Sequence, residues 1–256
     1  MPVAVGSIHP EVVLGVSLLA AVYAWGTRTA PPRPIQAARF VGALVALLLA
    51  LNGPLHDLSD NSLFTAHMVQ HLVLTLVVPP LLLTGLPAGM ADALLAPVLA
   101  RPLSAAIART LTRPLPAFSL YAVALVGWHL PAPYNLALEV HAWHIVEHLV
   151  LLATATLGWW PIASPSRRLP PLLHAAQLLY LFVFGMPMTV VAAMITAAEQ
   201  VLFPFYAAAP RVVDLTPLAD QRLGGVIMWV PSGLIPLTAF TIVFFRWVAA
   251  EADEPA

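Results

Sequence analysis

Long apolar runs separated by short polar connections dominate this chain. Seven runs are long enough to cross a membrane as helices, because a hydrocarbon core of about 30 Å needs about 20 apolar residues. They lie at about residues 10–27, 36–55, 63–85, 114–131, 138–160, 172–197 and 223–248. The pattern predicts an all-α integral membrane protein, with seven transmembrane helices forming a single domain over residues 1–256.

Two connections are long enough to hold structure of their own. Residues 86–113 mix apolar residues with arginines and prolines, which favours one or two short helices lying in the membrane interface. Residues 198–222 carry Glu199, Asp214 and Asp220 among prolines and are expected to be extracytoplasmic. The first apolar run has no basic residue before it and is followed by Arg28 and Arg33, so we interpret it as a retained anchor.

Arginine supplies every basic residue of the chain, and its distribution predicts the orientation. Nine of the eleven flank one set of helix ends. They are Arg28, Arg33, Arg39, Arg101, Arg109, Arg113, Arg167, Arg168 and Arg246, whereas Arg211 and Arg222 flank the opposite ends. Because basic residues in short loops stay cytoplasmic, the N-terminus is predicted outside and the C-terminus in the cytoplasm.

Composition narrows the chemistry that the chain can support. It is 60% hydrophobic and 9% charged, with a formal net charge of −1, which lies outside the range of soluble domains. No run of like charge suggests a nucleic-acid partner. Cysteine is absent, so disulfides and thiolate metal sites are excluded. Any ligand for a soft metal would have to come from histidine or methionine.

Histidines gather at the outer ends of the third and fifth runs under this orientation. His67 and His71 are four residues apart on one helix, and His144 and His148 repeat that spacing on another. Residues four apart share a helix face, and the two pairs lie at similar depth. Ionisable residues inside a span are functional candidates, and neutral imidazole is a common metal ligand. The pairs therefore predict a metal site, with hydrogen bonding between helices as the alternative.

Further residues are candidates at or around this site. We expect His129, His141 and Met68 to join the ligands, and His9, His56 and His174 not to do so. Glu147 could be a ligand, could orient an imidazole or could pair with another helix. Asp220 could cap a helix or offer a carboxylate to an arriving cation. The surrounding polar and thioether groups are predicted to be Glu147, Gln70, Asp220, Met194 and Met228.

A double proline interrupts the third run. Pro79 and Pro80 lack backbone donors and clash with the preceding turn, which predicts a kink. The carbonyls of Thr75 and Leu76 would then need partners from neighbouring helices or buried water.

Four segments together resemble a known family. They are HMVQHLVLTLVVPPLLLTGLP at 67–87, WHLPAPYNLAL at 128–138, HxxEH at 144–148 and DQRLGGVIMW at 220–229. They resemble the seven-span CtaG family of bacterial cytochrome c oxidase assembly proteins for caa-type oxidases, which is distinct from the single-span copper chaperone sharing that label. The matching positions are His67, Met68, Gln70, His71, Pro79, Pro80, Trp128, His129, Pro131, Tyr134, His144, Glu147, His148, Asp220, Gln221 and Trp229.

The resemblance implies a factor needed to assemble an active haem-copper oxidase, thought to deliver copper. It implies a multi-pass protein of the bacterial plasma membrane whose partners are oxidase subunits and a periplasmic copper donor, and homo-oligomers are compatible with it. The leading hypothesis is therefore a non-enzymatic metallochaperone that binds copper, which the methionines favour weakly. One alternative is an intramembrane zinc hydrolase with Glu147 as general base. Another is a haem-binding electron carrier.

Overall fold

A computed structural model describes residues 6–252 of the chain, and within them every regular element is helical. We number the helices α1 to α12. They are α1 (Pro10–Gly26), α2 (Pro34–Leu51), α3 (Gly53–Asn61), α4 (Phe64–Gly85), α5 (Ala88–Leu99), α6 (Pro102–Leu111), α7 (Pro114–Trp128), α8 (Pro131–Glu139), α9 (His141–Ala163), α10 (His174–Ala197, with a break at Gly185), α11 (Pro204–Ala208) and α12 (Pro217–Ala252).

Five helices are long and apolar enough to cross a membrane, namely α2, α4, α9, α10 and α12. Helices α7 and α8 qualify together, but they are bent by 71° at their junction, so they form either a sixth, broken span or a re-entrant segment. Helix α1 is apolar and has only 17 residues. The chain is thus an all-α, multi-pass membrane protein, while the count of seven spans and the orientation remain predictions.

Several connections hold helices that the apolar pattern did not reveal. The short helices α3 and α11 are too polar or too short to stand out as apolar runs, and α12 begins at Pro217 rather than near residue 223. Each starts with proline at its first or second position, where the missing N–H costs nothing. Residues 86–113 form the two short helices α5 and α6, as expected. Their position in the membrane interface remains a prediction.

At the kink predicted for α4, the structure has a π-helical turn with a specific partner. Residues Val73–Val77 form this turn shortly before the double proline. The indole Nε1 of Trp159 on α9 donates a hydrogen bond of 2.9 Å to the carbonyl of Thr75. A carbonyl freed by proline is thereby satisfied across the helix interface, which ties this turn of α4 to α9.

Replacing Trp159 by Phe should destabilise this junction. The phenyl ring keeps most of the apolar contact but has no donor for the buried Thr75 carbonyl. Leaving such an acceptor unpaired costs about 1–3 kcal/mol, which denaturation of the protein in mixed micelles would measure. Trp143→Phe is the control, because Trp143 is 46% exposed. Equal stabilities of the two variants would show that the indole hydrogen bond does not support the π-helical turn.

Glycines let α12 approach its neighbours closely. A side chain at Gly224 would collide with Phe64 on α4, and one at Gly225 would collide with Thr196 on α10. These contacts agree with the general use of small residues where two membrane helices pack closely. The close approach also brings Asp220 to the start of α4.

Candidate metal centre

Four side chains from α4 and α9 meet in the interior of the helix bundle. They are His67, His71, Glu147 and His148, and one potential ligand atom from each lies within 4.8 Å of the others. All four residues are buried. The two histidine faces predicted from spacing therefore converge, and a carboxylate joins them.

The carboxylate of Glu147 lies between the two imidazoles of α4. Its Oε2 is 3.7 Å from Nε2 of His67, and its Oε1 is 3.6 Å from Nε2 of His71. None of these four atoms has a hydrogen-bond partner, although all are shielded from solvent. Buried polar atoms without partners are rare and costly, so four of them around one space call for an explanation.

The ring of His67 is held in one tautomer by Tyr206. The Tyr206 hydroxyl donates to the carbonyl of Ser59 at 2.6 Å, and it lies 3.0 Å from Nδ1 of His67. Burial raises the pKa of the Tyr206 hydroxyl, so it keeps the proton that it donates. Its oxygen must then accept from Nδ1–H of His67. The neutral ring consequently presents a bare lone pair at Nε2, towards Glu147.

A second relay fixes the tautomer of His71. Nδ1 of His129 lies 2.7 Å from the carbonyl of Leu125, which can only accept, so this nitrogen carries the proton. The other nitrogen of neutral His129, Nε2, is then an acceptor, and it lies 3.2 Å from Nδ1 of His71. His71 donates through Nδ1 and presents a lone pair at Nε2. His129, predicted as a ligand, is placed here as the group that orients His71.

This arrangement can bind a cation. Two imidazole lone pairs and a carboxylate face one another, and none of these atoms has a hydrogen-bond partner. A proton or a metal ion would relieve their repulsion, and metal-ligating histidines are characteristically held by a hydrogen bond at the other ring nitrogen. An imidazole and carboxylate set suits zinc, copper or iron rather than magnesium or calcium.

His144 connects the centre to a second group of polar residues. Its Nε2 lies 3.1 Å from Nε2 of His148, and its Nδ1 lies 3.4 Å from Oδ2 of Asp60. The same Asp60 oxygen is 3.4 Å from Nε2 of His56. Gln70 donates to Nδ1 of His56 at 2.9 Å and to the carbonyl of Ala50 at 2.7 Å, which holds α3 against α4.

Two residues of this second group lie in α3, between the predicted spans, and their ionisation is shifted. Burial lowers the pKa of His56 to about 4, so this ring is neutral at neutral pH. Burial raises the pKa of Asp60, but the neighbouring His144 and His56 lower it more, and the net shift is downward. Asp60 is therefore a carboxylate between two imidazoles.

Asp220 fixes the start of the helix that carries His67 and His71. Its carboxylate accepts from the backbone N–H groups of Phe64 and Thr65 at 3.0 and 3.1 Å. Arg211 lies 3.8 Å from it. The capping role is thus placed on α4 rather than on α12, to which Asp220 belongs, because the two helices meet at the glycine pair.

The remaining predicted residues lie apart from the four central side chains. Met68 and Met228 are buried in the main apolar core, and Met194 is 68% exposed. His141 is exposed and contacts Glu11 rather than the other histidines of α9. The methionines accordingly give no geometric support to a thioether ligand at the centre.

Sequence reasoning missed Tyr206 and Asp60 and set aside His56. His56 and Asp60 are four residues apart on α3, the same spacing that drew attention to the other histidines, so a signal was present. It was overlooked because α3 is not an apolar run. Tyr206 lies in a five-residue helix of a long connection, where its sequence gives no indication of a contact with His67.

The fold and the site together define a class of protein, a multi-pass helical membrane protein with a buried histidine and carboxylate centre. Residues 19–250 match the model of the family described as cytochrome c oxidase caa3 assembly factor, Caa3_CtaG. The chain belongs to this family, which confirms the resemblance of its motifs. The expectation of a non-enzymatic protein agrees with a family of assembly factors.

Curated relatives add little about function. The chain is 26% identical over 222 residues to an uncharacterized protein of Mycobacterium bovis and, to the same extent, to one of Mycobacterium tuberculosis. The match covers 77% of this chain but 32% of each relative, so the chain spans about a third of their length. No solved structure matches the chain.

Proposed function

We propose that this caa3 oxidase assembly factor holds one copper ion between α4 and α9 and passes it to a cytochrome c oxidase subunit. The observation that carries the proposal is the set of four buried atoms, on His67, His71 and Glu147, that face one another without a hydrogen-bond partner. His148 supplies a fourth ligand from the same group.

Membership of this family favours copper over zinc, whereas the donor atoms do not distinguish the two metals. Imidazole and carboxylate accept either metal, and the methionines that would favour Cu(I) lie elsewhere. An oxidase of the haem-copper type must acquire copper. Copper is therefore the metal expected at the imidazole centre of its assembly factor. The oxidase is the expected partner, and the bacterial plasma membrane is the expected location, with α9 beginning on the outer face.

The two alternative functions have less support in the geometry. A hydrolase would use Glu147 as a base on metal-bound water, but both of its oxygens face ring nitrogens, as expected for a ligand. A haem carrier would place a macrocycle between two imidazoles. The rings of His71 and His148 have centroids only 5.6 Å apart at 88°, an arrangement unsuited to clasping a haem from its two faces.

Metal analysis of the purified protein tests the proposal. Protein from copper-replete bacterial membranes should contain one copper per chain and have no Soret band. In a strain that lacks the natural protein, it should also restore copper to the oxidase. Stoichiometric zinc would favour the hydrolase, a Soret band the haem carrier, and oxidase of full copper content in the deletion strain would end the delivery role.

A further inference from the structure

We infer that the cation reaches the buried centre along a ladder of ligand groups, which begins at the surface where α1 and α9 start. The inference rests on the proposed function. The ladder comprises His141, Glu11, His9, His56, Asp60 and His144, and it ends at His148. None of these six residues belongs to the four-residue centre.

Each step of the ladder is short enough for a cation to exchange ligands one at a time. At the surface, Oε1 of Glu11 lies 3.5 Å from Nε2 of His141 and 3.3 Å from Nδ1 of His9. The ring of His9 meets that of His56 edge to face, with centroids 4.1 Å apart. From His56 the Asp60 carboxylate leads to His144, with both contacts at 3.4 Å. His144 then contacts His148 at 3.1 Å.

Exposure falls from the outer end of this ladder to its inner end, although Asp60 keeps 22% of its side-chain surface exposed. The side chains of His141 and Glu11 are 59% and 40% exposed, and that of His9 is 20% exposed. Those of His56 and His144 fall to 6% and 4%, and Glu147 in the centre is fully buried. A cation moving inward would therefore lose water gradually while protein ligands replace it, which avoids the cost of burying a bare charge.

An adjoining groove reaches the centre at His148. It has a volume of about 500 Å³ and lies between α1, α2, α3 and α9. Its lining is mainly apolar, and its polar members are Glu11, His56, His141, His144 and His148. His148 lines this groove, whereas His67, His71 and Glu147 do not. Among the described residues, His148 is thus the member of the centre that the groove exposes to an arriving ion.

Residues 6–9, directly before α1, are held by hydrogen bonds that position His9. Asp57 on α3 accepts hydrogen bonds from the backbone of Gly6 and Ser7, and from the Ser7 hydroxyl. Asn52 accepts from the backbone N–H of His9 at 2.8 Å. These contacts fix the position of His9 next to His56.

Rates of metal uptake test the ladder separately from the centre. The metal-free full-length protein in detergent would be mixed with Cu(I) buffered by a chromophoric chelator, and uptake followed by the loss of chelator colour. The triple variant His9→Ala, Glu11→Gln, His141→Ala should load at least about tenfold more slowly, because the surface groups no longer concentrate the ion. Its final copper content and affinity should equal those of the wild type.

Matched substitutions outside the ladder serve as controls. Glu139→Gln changes an exposed carboxylate at the end of α8, and His174→Ala changes a histidine at the start of α10. Both should load at the wild-type rate. Wild-type loading by the triple variant would refute the ladder and leave the centre intact, and a lowered copper content at equilibrium would refute it by making the surface groups ligands. Failure of the wild type to bind any copper would instead refute the proposed function.

Discussion

Glu147→Gln should leave the metal-free protein folded and weaken its binding of copper strongly. Glu147 is the carboxylate of the four-residue centre, so its charge would balance that of the cation. The amide is nearly the same size, and its single nitrogen can donate to the unpartnered Nε2 of either His67 or His71. The metal-free variant should therefore be at least as stable as the metal-free wild type.

The size of the effect follows from linkage between binding and folding. Copper at 100 times the dissociation constant should stabilise the wild type by about 2.7 kcal/mol. A loss of about 100-fold in affinity is the upper end expected for groups around a metal. With that loss, the same copper concentration should stabilise the variant by only about 0.4 kcal/mol. Denaturation with and without copper measures both, and Glu139→Gln should respond as the wild type does. A variant that gained the full 2.7 kcal/mol would show that Glu147 is not a ligand.

His71→Ala and His148→Ala should each yield protein that inserts into the membrane but carries no metal after purification. Each removes one imidazole from a centre that has only four ligand groups. The two residues lie on α4 and α9, so parallel loss of metal would establish that the helices bind it jointly. Metal analysis of the purified variants provides the measurement.

A rescue experiment separates a lost ligand from a damaged fold. Each truncation leaves a space of the size of an imidazole ring, so free imidazole added with copper should restore part of the metal content. His174→Ala should retain full metal throughout, because His174 lies at the start of α10. Full metal in both His71→Ala and His148→Ala would exclude the proposed centre.

The prediction of the fold succeeded where an element is marked by length and hydropathy. Helices α2, α4, α9, α10 and α12 correspond to predicted spans, and the double proline indicated where α4 departs from regular α-helical geometry, in the π-helical turn. Helix α3 was not predicted, because a short polar helix buries few apolar side chains and so has no periodic hydrophobic pattern. The bend of 71° between α7 and α8 was not predicted either, since it depends on how Pro131 starts a new helix after His129.

The prediction of the site was strongest for residues paired on one helix. Spacing alone placed His67 with His71 and His144 with His148. It left three roles open for Glu147, because the direction of a side chain about 100° from its neighbour is set by how the helix is rotated against its partners. It also included His141, which has the right spacing but lies too near the surface to face the centre.

The sequence by itself determined the class of protein, five helices that are long and apolar enough to cross a membrane, and the family, because hydropathy, proline and motif order are local properties of the chain. Only the tertiary structure decided which acceptor atoms meet. The tautomers of His67 and His71 depend on Tyr206 and on the carbonyl of Leu125, 139 and 54 residues away along the chain. Such contacts are set by the packing of helices against one another, and no local pattern of residues records that packing.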